Sequence, residues 1–306
     1  MNVAAVYGAV VLIWSTTPLG IRFSVESLDF VQALAVRMWI SLLICAVLIR
    51  VFSLVFNWSR PALYGYLCGA VAITGAMLCV YWSAQVLPSG LIAVVWGISP
   101  LVVSVYSRLF IPGNELGGRR IFSMLLALLG LYVIFAHGIH FNDHMVTALL
   151  VLLLGVNLHS ISSVMLQHEK VVKGHKPVHP IVQTTGALLI SAPVYGLLWW
   201  ILSPPLPEHI SNESIFAIGY LAVFGSVVGF VGYFYLMNNL SAANVSLITL
   251  VTPVLALLLG AAVAGEKLEL QTLAGSALIL GALLIYHLQH VRFVLVKMKG
   301  FRVKKS

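Results

Sequence analysis

Apolar residues run through this chain in long, nearly unbroken blocks, and polar residues gather in short intervals between them. The blocks fall at about 4–21, 31–50, 62–83, 89–110, 120–137, 146–166, 180–202, 215–237, 243–264 and 271–289. Connectors such as NWSRP (57–61), PGNELGGRR (112–120), HEKVVKGHKP (168–177) and SPPLPEHISNES (203–214) separate them. At about 1.5 Å per residue, some 18–20 apolar residues are enough for a helix to cross a hydrocarbon core of about 30 Å. The runs are continuous rather than alternating, which excludes a barrel of alternating strands about ten residues long. The pattern predicts an all-α integral membrane protein with ten transmembrane helices.

Composition agrees. Of the 306 residues 60% are apolar and 8% charged, against about 25% charged in a soluble domain. The net charge of +8 is informative through its position, not as a sign of a nucleic-acid partner. With the N-terminus placed inside, the inner side receives Arg50, Arg60, Arg108, Arg119, Arg120, Lys170, Lys173, Lys176 and the six basic residues from Arg292 to Lys305. Arg22 and Lys267 fall outside, and Arg37 lies within a block. Lys and Arg favour the cytoplasmic side of short connectors. Both termini are therefore expected in the cytoplasm, with the chain multi-pass in a cell inner membrane.

The basic tail, with Phe293, Val296 and Phe301 among its cations, reads as an anchor on anionic headgroups of the lipid bilayer. The first block has no charged leader and no small-x-small cleavage site, so it reads as a retained helix. Cys45, Cys68 and Cys79 lie inside apolar blocks and are expected to be reduced and buried.

The fourth and ninth blocks are related. LPSGLIAVVWGISPL (87–101) aligns without gaps to LSAANVSLITLVTPV (240–254), placing Ser99 on Thr252 and Pro100 on Pro253. After a two-residue offset Glu115 falls on Glu266, and Gly130 on Gly281. A five-helix unit therefore occurs twice, in residues 1–140 and 141–290, followed by the basic tail 291–306. An odd number of crossings per unit inverts the second copy in the membrane. Inverted repeats are a device of secondary transporters, which hold substrate near the midplane where the halves meet.

The stretch LIWSTTPLGIR (12–22), the Arg37 of LAVRMWIS and the paired Pro…Glu…Gly patterns together resemble the drug/metabolite transporter superfamily, in its bacterial ten-helix EamA branch. The resemblance covers essentially the whole chain. It implies export of a small organic metabolite, such as an amino acid or related compound, or of a drug-like molecule. It also places blocks 1, 3, 4 and 8 around a central cavity. One stretch departs from the family's pattern: LLGVNLHSISS (153–163) stands where a Trp-Ala-type segment is usual.

Within this frame the candidate kinks are Pro18, Pro100 and Pro253, because proline removes a helix donor and a water-lined cavity tolerates the freed carbonyl. Trp14, Tyr81, Trp82, Trp96 and Tyr233 are candidate walls of the cavity, the alternative being lipid contact. Ser15, Thr17, Ser99, Asn244, Ser246 and Thr249 are candidate hydrogen-bonding groups, or glue between helices. Arg37, Gln85, Asn157 and His159 are polar at depth, which is costly and usually faces a bundle interior or cavity. Gly65, Gly69 and Gly75, and Gly225, Gly229 and Gly232, allow close helix approach in blocks 3 and 8.

No Asp or Glu lies mid-block, so a proton-coupled carrier would lack its usual carboxylate. Protons remain a candidate coupling ion, carried by His159 or by the substrate; facilitated exchange needs none. The His-rich connectors HGIHFNDH (137–144) and HEKVVKGHKPVH (168–179) have no closed metal-site spacing, and solvated loops account for both. No metal and no cofactor is expected, and the sequence sets no oligomeric state. An enzyme is disfavoured by the lack of HExxH, GxSxG or paired carboxylates at depth. A scaffold would leave the repeat unexplained. An uptake permease or facilitator for a small-molecule substrate is the alternative within transport.

Overall fold

The structure is a computed structural model that describes residues 2–113, 118–136, 143–202, 205, 207–250, 252–265, 270–271, 273–282 and 284–285. The tail 291–306, residues 137–142 of one His-rich connector, and Glu115 and Glu266 of the repeat pattern lie outside them. Among the described residues there is no strand. The helices are α1 (Val3–Ser24), α2 (Phe30–Val51), α3 (Arg60–Ala84), α4 (Ser89–Phe110), α5 (Gly118–Ala136), α6 (Asp143–Val171), α7 (Pro180–Leu202), α8 (Asn212–Asn239), α9 (Thr252–Ala264) and α10 (Leu273–Ala282). Seven of these, α1–α4 and α6–α8, are long and apolar enough to cross a membrane. Shorter apolar stretches, Ile121–Gly130, Leu255–Ala264 and Leu273–Ala282, fall inside the three remaining blocks.

Helix starts follow local chemistry. Asp29 caps α2 through the Val31 N–H at 2.8 Å, and Gln32 Oε1 accepts the Asp29 N–H at 3.2 Å, a reciprocal box. Ser211 accepts the Ser214 N–H at the start of α8, and Pro61 occupies the first turn of α3, where its missing donor costs nothing. At the other end of α8, Lys170 Nζ donates to the Asn238 carbonyl at 2.8 Å, satisfying an orphan acceptor at a helix C-terminus.

The described residues form two compact units, α1–α4 with α6–α9, and α5 with α10. In the smaller unit, Gly130 of α5 is buried, and a methyl there would come within 2.7 Å of the Gly275 carbonyl. Gly281 has open space around it, so the two glycines that align in sequence serve different ends.

In the larger unit α2 runs along α7, α3 packs on α6 and α7, α4 on α6 and α9, and α1 on α8 and α9. The distribution of polarity is that of a membrane bundle. Leu43, Leu109, Phe216 and Trp200 are exposed while Ser41, Ser83, Ser160 and Ser191 are fully buried. Several polar side chains tie helices together: Ser83 Oγ donates to the Ala148 carbonyl at 2.7 Å, Gln183 Nε2 to the Gly65 carbonyl at 2.7 Å and Thr74 Oγ1 to Ser191 Oγ at 2.8 Å. Such bonds and close van der Waals packing hold a membrane bundle together. Cys45, Cys68 and Cys79 are free and buried.

Two helices that read as uninterrupted blocks contain a wide π-helical stretch, Val71–Ala76 in α3 and Leu221–Val228 in α8. A π turn leaves carbonyls poorly served by their own helix. Side chains from neighbouring helices meet them. Tyr195 Oη on α7 lies 2.6 Å from the Ile73 carbonyl and 2.8 Å from that of Thr74, and Ser41 Oγ on α2 lies 3.2 Å from the Ala222 carbonyl.

Two other blocks depart from a regular α-helix. The first segment of α4 ends at Trp96, the chain turns at Gly97 and Ile98, and the helix restarts at Ser99. Ahead of α9 lie a short turn, Ala242–Val245, and a 3₁₀ segment, Ser246–Leu250. Pro100 and Pro253 are the second residues of the restarted helices. Each therefore sits in a first turn where a missing N–H is tolerated, with the irregular stretch just ahead of it.

Candidate functional site

The two irregular stretches meet. A methyl placed on Gly97 would lie 3.5 Å from the Pro253 ring and 3.7 Å from the Thr249 carbonyl. Beside this crossing the larger unit holds a cavity of about 80 Å³, large enough for several waters or one small organic molecule. Trp14, Thr17 and Pro18 of α1 line it, with Arg37 of α2, Trp96 of α4, His159 of α6, Tyr233 of α8 and Thr249. A smaller adjoining recess shares Trp14, His159, Tyr233 and Thr249 and adds Ser99 and Ser246.

His159 sits within an aromatic cage. Its ring centroid lies 6.1 Å from that of Trp14, 5.5 Å from Trp96 and 5.4 Å from Tyr233. Trp14 and Tyr233 are themselves 5.5 Å apart. Such tilted and edge-on pairs suit the ring quadrupoles. Among the described residues the imidazole has no hydrogen-bond partner, whereas the Tyr233 hydroxyl is held 2.6 Å from Ser163 Oγ. That bond fixes one wall of the cage.

Arg37 is 1% exposed. Its Nε donates to Ser226 Oγ at 2.8 Å and its Nη1 to the Tyr81 hydroxyl at 3.1 Å. Tyr81 therefore acts behind the cavity wall, orienting Arg37, and is fully buried. Ser226 lies in the π-helical stretch of α8, so the wide turn helps present the hydroxyl that holds the guanidinium. Two glycines make room for these side chains: a methyl at Gly225 would fall 3.1 Å from Arg37 Nη2, and one at Gly229 2.9 Å from Trp14 Nε1.

The remaining candidates lie apart from the cavity lining. Ser15 is buried and bonds back to the Val11 carbonyl at 2.7 Å. Asn157 accepts from Tyr106 at 3.1 Å and donates to the Leu153 carbonyl at 2.8 Å, a tie between α4 and α6. Gln85 is exposed and bonds to the Trp82 carbonyl at 3.2 Å. Trp82 is half-buried, and Asn244 uses its carbonyl to accept from Tyr7 at 3.3 Å. Sequence reasoning passed over Ser163, Tyr195 and Ser226, because a serine or tyrosine in an apolar block gives no sign of the neighbour it will meet. The glycines at Gly225 and Gly229 were the available signal.

The model of the EamA-like transporter family matches residues 4–136 and 146–287. The "uncharacterized inner membrane transporter YedA" of Escherichia coli K12 is 28% identical over 286 residues, covering 90% of this chain and 88% of that one. An "uncharacterized transporter" of Archaeoglobus fulgidus is 24% identical, covering 88% of this chain and 93% of its own length. Protein PagO of Salmonella typhimurium is 25% identical, covering 84% and 83%. A crystal structure of another protein has a TM-score of 0.70 at 20% identity, covering 95% of this chain and 98% of that chain, and bears on the fold alone. Apolar helices of spanning length enclose a polar-tipped cavity, and the family match covers most of the chain: this protein belongs to the EamA-like transporter family, of the drug/metabolite transporter superfamily, and is a membrane transporter.

Proposed function

We propose that the protein is a secondary transporter that exports a small organic metabolite across the inner membrane by alternating access, with the caged cavity as its substrate site. In this reading all ten helices cross the bilayer as two inverted five-helix units, and both termini face the cytoplasm. The observation that carries it is the convergence of two irregular helical segments on one cavity, where Gly97 packs toward Pro253 and Thr249. Discontinuous helices at a substrate site are a recurring feature of inverted-repeat carriers. Further support comes from two similar motifs. α3 and α8 each hold a π-helical stretch, at Val71–Ala76 and Leu221–Val228, and the family model matches two segments of the chain.

The test is counterflow in proteoliposomes with labelled neutral, aromatic, anionic and cationic metabolites, run with and without an imposed pH gradient. Saturable exchange of one class, lost when Trp96 or His159 is changed to Ala at normal expression, is the expected result. Exchange that both Ala variants leave intact would remove the cavity from the mechanism. A response to the gradient would make protons the coupling ion, and indifference would make the protein a facilitator.

A further inference from the structure

We infer that the cavity is built for small organic anions, which present a carboxylate or similar acidic group to Arg37 and lay an apolar body against Trp14, Trp96 and Tyr233. This rests on the cavity being the substrate site and narrows it to one charge class.

The guanidinium of Arg37 is a permanent cation, 1% exposed and set within a membrane-spanning helix. Its hydrogen-bond acceptors are two neutral oxygens, Ser226 Oγ at 2.8 Å and the Tyr81 hydroxyl at 3.1 Å. The Tyr81 ring stands beside it, with its centroid 5.7 Å from Cζ. No carboxylate among the described residues pairs with it; Glu169 is engaged by Lys173 and His175 instead. Among the described residues no Asp or Glu lines the cavity.

A charge removed from water is costly without an opposite charge, and the described residues supply none beside Arg37. The Nη2 end lies against Gly225, and Gly225 and Arg37 line the same cavity. Nε and Nη1 are each held by one bond, which leaves N–H groups of the planar fork for a ligand. That fork matches a carboxylate in two-point geometry. An incoming cation would meet an uncompensated positive charge with no acidic group to relieve it. The rest of the wall, the rings of Trp14, Trp96, Tyr233 and His159, offers faces and edges to an apolar body.

The experiment uses purified full-length protein in detergent, with tryptophan fluorescence reporting occupancy beside Trp14 and Trp96. Three probes of one shape are titrated: 3-phenylpropanoate, 3-phenylpropanamide and 3-phenylpropylamine. The carboxylate is expected to bind about tenfold tighter than the amide, the margin of a charge-assisted over a neutral hydrogen bond, and the amine weakest. In Arg37→Gln the carboxylate should fall to the affinity of the amide. If that variant does not fold, the wild-type ratio of carboxylate to amide decides alone. Amide or amine binding as tightly as the carboxylate overturns the anion inference and leaves the cavity standing as a binding site. Silence from all three probes overturns the cavity reading and this inference with it.

Discussion

Arg37 and Ser226, 189 residues apart in the chain, are joined by a 2.8 Å hydrogen bond from Nε to Oγ. It links α2 to the π-helical stretch of α8 and sets the direction of the guanidinium. In Ser226→Ala the charged donor loses its acceptor, at an expected cost of about 1–3 kcal/mol. A lowered unfolding temperature in detergent, together with weakened transport, is the predicted outcome. An unfolding curve superposable on that of the wild type would mean that the bond is dispensable.

Tyr195 plays the matching part at α3, where its hydroxyl reaches the Ile73 and Thr74 carbonyls at 2.6 and 2.8 Å. Tyr195→Phe keeps the buried ring and strips the π turn of its side-chain partner. Destabilisation of about 1–3 kcal/mol is expected, with faster amide exchange across Val71–Ala76 than elsewhere in α3. Uniform exchange along the helix would argue against this bond as the support of the turn.

Gly229 gives a steric test of the cage. An added methyl would stand 2.9 Å from Trp14 Nε1, so Gly229→Ala should tilt Trp14 and lower transport at normal expression. Gly219, also in α8, has nothing within 4 Å of such a methyl. Gly219→Ala should leave transport at the wild-type rate. The comparison separates displacement of Trp14 from a general effect of stiffening the helix.

Among the polar residues at depth, His159 and Gln85 should behave oppositely. His159 lines the cavity within its aromatic cage, while Gln85 is exposed and bonds to its own helix. Counterflow should fall about tenfold or more in His159→Ala, which loses ring contacts and a polar group, and stay unchanged in Gln85→Ala. Equal effects would show that the cavity is not the site of selection.

The charge bias of the connectors predicts cytoplasmic termini. A C-terminal fluorescent reporter that matures in the cytoplasm should be bright, and an alkaline phosphatase fusion at the same point silent. An active phosphatase there would reverse the assigned orientation.

What the sequence determined by itself was the medium and the helical blocks. Block length and continuity are set by the absence of water in the bilayer core, where each helix must satisfy its own backbone; α2 and α7 appear within a residue of their expected limits, and α1 runs three residues past its expected end. The candidates Trp14, Thr17, Arg37, Trp96, His159, Tyr233 and Thr249 do line one cavity, because a polar or amphipathic group is costly against lipid and tends to turn inward. Only the tertiary structure decided how those blocks deviate from straight helices. The π stretches are met by Tyr195 and Ser41, more than a hundred residues away, and the turn at Gly97 packs toward Pro253. Hydrophobicity is a local property and registers no difference between an α and a π turn. The same holds for Arg37: the sequence places a cation inside the membrane, but only packing shows that its partners are a serine and a tyrosine rather than a carboxylate.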